Sequence, residues 1–286
     1  MTGILNTVVN ASLISALYAL VAIGFTLIFG VGGVLNLSHG ATITVGAFTA
    51  YFVTSVLGAS IWVATLAALV VPAAFAAVLY LGLIRRVQDD PITVMILTLV
   101  TAIVVEEVVK ILVGTQSRAI PSLLGGQLAL LGGIQRNRVL AFALSWIVIG
   151  VLFALVNYSQ TGKAILATSM SNRGASIVGI ETDRMYLYTW VIAGALAGLA
   201  GVFLGSIQTA GWAMGRSPLV LSFSIVVLGG IGSIRGSLIG AYIIGFLEVF
   251  TVSYVDSSLS GLASLVVLVV ILLVKPEGLF GRELAE

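Results

Sequence analysis

The chain has 286 residues, of which 59% are hydrophobic and only 8% charged, and its formal net charge is +2. An average soluble domain carries roughly 25% charged residues, whereas residues 1–84 here contain no Lys, Arg, Asp or Glu. This excludes a soluble enzyme, a nucleic-acid binder and a disordered regulator, and leaves a polytopic α-helical membrane protein. The thirteen Lys and Arg are spread over short loops, so they report topology rather than an anionic partner. The absence of cysteine excludes disulfides, thiolate metal sites and cysteine nucleophiles.

Residues 4–29 form the first apolar run. The run has no basic segment before it and exceeds a signal-peptide core in length, so it is expected to be a retained membrane helix. Further runs fall near 38–57, 61–84, 91–113, 138–157, 187–206, 218–231, 236–254 and 259–274. Each approaches the length a membrane helix requires. The expected fold is an all-α transmembrane bundle forming one domain over 1–286, with nine spans. The short pieces around 30–57 and 218–254 read as broken or re-entrant helices, with breaks near 30–40 and 229–236, which widens the count to eight to ten. The runs are continuously apolar, unlike the alternating strands of a β-barrel.

Nine spans place three basic segments on one cytoplasmic face: 85–90 with Arg85 and Arg86, 158–186 with Lys163, Arg173 and Arg184, and the tail with Lys275 and Arg282. The N-terminus then lies outside; eight or ten spans place it inside. The loop 114–137 lies outside too, against the charge rule, since it carries Arg118 and Arg136 beside Arg138. Pro121, Gly125, Gly126, Gly132 and Gly133 mark it as an exposed, partly ordered loop. In 158–186, Ala175, Ile177, Val178 and Ile180 suit a short helix lying outside the bilayer.

Polar residues inside apolar runs are the candidates for chemistry. Asn36, Ser38 and His39 interrupt one run, flanked by Gly32, Gly33 and Gly40. Such a cluster either lines a path or closes an internally bonded turn. Gly32–Gly40 resembles Gly229–Ser237, a weak internal similarity of the kind two-half transporters show. Gly194, Gly198, Gly201 and Gly205 have small-xxx-small spacing and read as packing, as does the pair Gly236 and Gly240. Glu106 and Lys110 are spaced to pair on one helix face. Glu248 stands alone in an apolar run, where an acid either faces a bundle interior or a cavity or is a protonated or hydrogen-bonded structural residue near the outer surface. Thr161-Gly162-Lys163-Ala164 is not a phosphate loop, because Asn157 occupies the first glycine position and Ala164 the Ser/Thr position. Energy for active transport is therefore expected from another subunit.

Several of these segments, in order, resemble the branched-chain amino acid permeases of ABC importers. Gly24-Phe25-Thr26-Leu27-Ile28-Phe29-Gly30 and Val34–Ala41 resemble the family's opening "G-x-T-x-x-x-G … x-N-F-A-H-G". Arg173–Arg184 is similar to its loop motif, Val227–Gly236 to "V-x-G-G-x-G-S-x-x-G", and Lys275–Arg282 to "R-P-x-G-L-F-G". Length and the first motif look like the LivH-type subunit rather than its LivM-type partner. Leu37-Ser38 departs from the usual aromatic–small pair, and Lys275-Pro276-Glu277 from Arg-Pro-Thr.

The resemblance implies a multi-pass subunit of a prokaryotic inner membrane. It implies as partners a second, LivM-type permease, two ABC ATPase subunits and an extracytoplasmic solute-binding protein, with leucine, isoleucine and valine as substrates. It places Asn36, Ser38, His39 and Gly40 near the substrate path; Ser233, in the second polar break, and Glu248 are further candidates for the path from the residues themselves. It makes 158–186 a cytoplasmic coupling loop, with Arg173, Gly174, Gly179, Ile180 and Asp183 meeting the ATPase. No catalytic residue, metal or cofactor is expected. The alternatives are a urea or short-amide ABC permease and a stand-alone secondary carrier or channel.

Overall fold

The computed structural model describes residues 2–128, 133–275 and 277–280. Gly132 of the 114–137 loop and Pro276, Gly281 and Arg282 of the tail motif lie outside the described residues. The helices are α1 (Thr2–Gly32), α2 (His39–Tyr51, continued by a π-helical turn over Phe52–Val56), α3 (Ile61–Gly82), α4 (Pro91–Val113), α5 (Arg136–Tyr158), α6 (Gln160–Met170) and α7 (Asn172–Ile177). They continue as α8 (Thr182–Gln208), α9 (Arg216–Gly229), α10 (Ile234–Tyr254) and α11 (Leu262–Val274). All nine apolar runs of the sequence become helices. Among the described residues, six are long and apolar enough to cross a membrane, namely α1, α3, α4, α5, α8 and α10.

Local chemistry sets many helix starts. The hydroxyls of Ser60, Ser159, Ser171 and Ser233 each accept from the amide three residues on, capping α3, α6, α7 and α10. Asp90 caps α4 through the amides of Ile92 and Thr93, with Pro91 in the first turn. The Thr93 hydroxyl, together with these amides, holds the Asp90 carboxyl below its usual range.

The exterior is apolar. Leu66 and Val70 of α3, Ile103 of α4, Val151 of α5 and Leu273 of α11 are all more than half exposed. In water that surface would drive aggregation; in a bilayer it is the solvated surface. α1 runs through the middle, with Leu17, Leu20, Ile23 and Phe25 almost fully buried. The α8 glycines bring backbones together: Gly46 of α2 lies on Gly198, Gly201 on Ile43, and Gly194 on Pro72 of α3. A methyl group at any of these positions would enter a neighbour's backbone.

Contacts sort the loops into two ends. At one end, which we designate A, Asp183 accepts from Arg85 and Gln88, Tyr186 packs on Gly32, Gly232 packs on Gly30, and the amides of Leu279 and Phe280 donate to Leu228 and Gly229. At the opposite end, B, Thr7 meets Tyr254, Arg138 donates to Asn10, and Arg118 pairs through backbone with Ala210. The short strands β1 (Gln127–Leu128) and β2 (Ile134–Gln135) pair antiparallel within the 114–137 loop. The segments 85–90, 158–186 and the tail therefore share end A, as the nine-span reading requires, and the start of α1 lies at end B.

The 158–186 segment differs from its expectation of one short helix: it forms two, α6 and α7. Gly162 folds α6 back against the Leu155 and Val156 backbone. A second difference concerns Glu106. Lys110 pairs with Glu107 at 3.1 Å, and Glu106 turns instead to Arg216. Glu106 faces inward, and a buried carboxylate there needs the bidentate partner that Arg216 supplies.

Candidate functional site

The break between α1 and α2 builds the first part of the site. Gly33, at φ +62°, lets the chain turn back at the end of α1. Residues 34–38 then run without helical hydrogen bonding, and the Leu37 amide donates to Thr98 of α4 at 3.1 Å. Asn36 Oδ1 accepts from the Ser38 amide at 3.0 Å and the Ser38 hydroxyl at 2.6 Å, closing a tight turn. His39 is 1% exposed, and its Nε2 lies 3.1 Å from the Val21 carbonyl oxygen. A carbonyl only accepts, so Nε2 carries the proton. The ring lies edge-on to Phe25 and faces Gly24, where there is no side chain to obstruct it. Asn36, Ser38 and His39 are thus joined in one buried, internally bonded turn. Thr26 adds a link from α1 to Ser237 of α10 at 2.6 Å.

This turn starts α2 beside the middle of α1 rather than at the bundle's end. α9 starts at a matching level, because Gly215 packs directly on Gly40. α2 and α9 therefore both begin inside the bundle, where their N-terminal ends meet. Neither has a side-chain cap hydrogen bond. Two positive helix ends consequently converge there.

The other two predicted path residues lie elsewhere. Ser233 caps α10 at end A. Glu248 is buried near end B, where Oε1 accepts from the Ser260 hydroxyl and the Gly261 amide, both at 2.7 Å, and so holds the link into α11.

A group the sequence reading did not assemble stands where α4 crosses the start of α9. Arg216 donates to Glu106 through Nε at 2.9 Å and Nη2 at 2.5 Å. Trp212 lies beside both cations, with Arg216 Cζ 5.2 Å and Lys110 Nζ 5.3 Å from its ring centroid. Nothing in the local spacing of residues 106 and 216 signals this pairing; only an unexplained acid and an unexplained arginine in apolar surroundings point to it.

At end A, Arg173 and Gly174 are exposed on α7. Gly179 turns the chain out of the helix at φ +84°, and Ile180 is half-buried. Asp183 is held by Arg85 at 2.8 Å and by Gln88 at 3.1 Å, so it anchors the 85–90 loop to α8. Beside them, Ile177 and Val178 are 79% and 74% exposed, and Leu166 and Met170 of α6 are exposed too.

An apolar-surfaced helical bundle, with two helices that begin inside it, polar breaks there and short amphipathic helices at one end, is a multi-pass membrane protein of the permease class. The chain belongs to the family described as branched-chain amino acid transport system / permease component, whose model matches residues 7–274. It is 30% identical to the high-affinity branched-chain amino acid transport system permease protein LivH of Escherichia coli, over 97% of this chain and 96% of that one. It is 26% identical to the corresponding permease BraD of Pseudomonas aeruginosa over the same shares. Its fold is similar to a chain of PsaBC from Streptococcus pneumoniae in complex with Fab, with a TM-score of 0.53 at 14% identity over 95% of this chain and 92% of that one.

Proposed function

We propose that the protein is the membrane-spanning permease subunit of an ABC importer that carries leucine, isoleucine and valine across the cytoplasmic membrane of a prokaryote. A second, LivM-type permease completes the path, two ATPase subunits supply the energy, and an extracytoplasmic binding protein delivers the substrate. End A faces the cytoplasm, in keeping with Arg85, Arg86, Lys163, Arg173 and Arg184 in its loops.

The observation that carries this reading is the exposed apolar face of α6 and α7. At end A, Leu166, Met170, Ile177 and Val178 are left exposed, while α6 packs on the bundle through Gly162 and Ile165. A short amphipathic helix of this kind fits a groove in a partner protein. Arg173, Gly174, Gly179 and Ile180 frame that contact, and Asp183 ties it to α8 and the 85–90 loop. ATP binding in the partner then biases which way the path opens. The Asn36–Gly40 segment borders the path by fixing where α2 begins, while Ser233 and Glu248 hold the two ends of α10.

A mild-detergent pull-down from native membranes, with mass spectrometry of the copurifying proteins, tests this reading. Recovery of an ATPase, a second permease and a solute-binding protein is expected, and the amino acid that stabilises the binding protein identifies the substrate. Urea or an amide stabilising it instead corrects the substrate. Recovery of the chain alone, with uptake into liposomes on an ion gradient, overturns the importer reading in favour of a secondary carrier.

A further inference from the structure

We infer that Arg216, with Trp212 and Lys110, forms a cationic station on the translocation path that receives the carboxylate of the amino-acid substrate. The inference rests on the importer reading above and adds the residues that meet the cargo.

Depth comes first. Glu106 is fifteen residues into α4, which at 1.5 Å per residue puts it about 22 Å from end A and about 10 Å short of end B. Arg216 bonds to it and follows Gly215, which lies on Gly40 beside the centre of α1. Glu106 and Arg216 therefore lie about 10 Å inside end B, with Lys110 one helical turn nearer that end.

Exposure then decides what it faces. The Arg216 side chain is 63% exposed, while its partner Glu106 is 11% exposed. A guanidinium opened onto acyl chains is disfavoured, increasingly so toward the bilayer centre. The face it occupies is consequently not a lipid face. The buried member of the pair is the anion, and the open member is the cation.

The chemistry presented matches a carboxylate beside an aliphatic chain. Glu106 uses Nε and Nη2 of Arg216, and among the described residues none engages Nη1. The guanidinium fork suits a planar carboxylate. Lys110 reaches the same indole ring from α4, and Glu107 balances it at 3.1 Å. The Trp212 ring offers an apolar surface between the cations for the substrate's side chain. Arg216 is also the first residue of α9, whose uncapped N-terminal end adds positive potential.

The chain has no cysteine, so a single-cysteine variant carries one labelling site on this chain, read after the subunits are separated on a denaturing gel. Lys110→Cys leaves the Glu106–Arg216 pair in place. In the complete transporter in proteoliposomes, it is expected to react with a membrane-impermeant methanethiosulfonate reagent, while Val151→Cys on the outer face of α5 stays unreactive. Arg216→Gln is expected to lower leucine import about tenfold or more, the effect of one charge-assisted hydrogen bond, with Arg216→Lys intermediate. The double variant Glu106→Gln/Arg216→Gln keeps a neutral hydrogen-bonded link between α4 and α9. It is expected to stay defective, because the cation is what the substrate needs.

If the wild-type transporter imports leucine but Lys110→Cys is unreactive, the face is closed by lipid or by the partner permease and the station is overturned. Import at the wild-type rate by the double variant overturns it too, and leaves the pair as a strut. If the wild type with its partners imports no leucine, isoleucine or valine, the importer reading itself fails.

Discussion

The imidazole of His39 fills the space that Gly24 leaves open, and its Nε2 donates to the Val21 carbonyl three residues earlier on the same helix. One turn of α1 thus supplies both the room and the acceptor for the residue that begins α2. The "G-x-T" and "N-x-S-H-G" segments are separated in sequence but form one interlocked unit.

Gly24→Val is expected to destabilise the protein by about 1–3 kcal/mol through overpacking against the ring. His39→Ala is expected to cost about 2–4 kcal/mol, from the cavity and the lost hydrogen bond. The double variant should lose less than the sum, because the clash and the cavity share the same space. Thermal unfolding of the purified protein in detergent measures all three. Strict additivity would show that the two residues do not act on each other.

Gly201 faces the Ile43 backbone across the α2–α8 contact, with no room for a methyl group. Gly201→Leu is expected to separate the helices and to remove more than about 3 kcal/mol, near the upper range for single substitutions. The protein should then fail to accumulate in membranes, as immunoblotting would reveal. Gly150, on the open side of α5 with nothing within 4 Å, is the matched control and should tolerate leucine.

Gly179→Arg is expected to abolish uptake while the protein remains in the membrane. Position 179 has φ +84° and open space around it, so the substitution strains the exit of α7 without touching the core. Uptake assays and membrane abundance, measured side by side, check this. Normal transport in the variant would remove the coupling role from this segment.

Thr209 closes α8 at φ 98°, a conformation a β-branched residue adopts only under strain. Thr209→Gly is expected to stabilise the protein by about 1 kcal/mol, by relieving a strain of that order. A rise in melting temperature is the readout, and a fall would show that the threonine side chain is needed at the Arg118–Ala210 bridge.

Much of the fold was legible because the bilayer leaves the backbone few options. The uncharged stretch through residue 84 forces internally bonded helices, and each of the nine apolar runs became one. The α8 glycines were equally visible, since their spacing acts over one or two turns. The site was less legible. Glu106 has a cation four residues on, at good helical spacing, yet it pairs with one 110 residues away. By position Asn36, Ser38 and His39 read as a turn somewhat better than as a path lining, and Asn36 and Ser38 are buried and hydrogen-bonded to each other in a closed turn.

Sequence alone determined the solvent, the helical class, the approximate spans and, through ordered motifs, the family. Those properties depend on local composition, which lipid converts directly into structure. Tertiary structure decided that α2 and α9 begin inside the bundle and meet at Gly40 and Gly215, that Arg216 is the open end of an ion pair whose acid is buried, and that α6 and α7 leave an apolar face at end A. Each of these depends on which distant residues the bundle brings within reach. Charge pairing and burial are properties of those neighbours rather than of any segment of the chain.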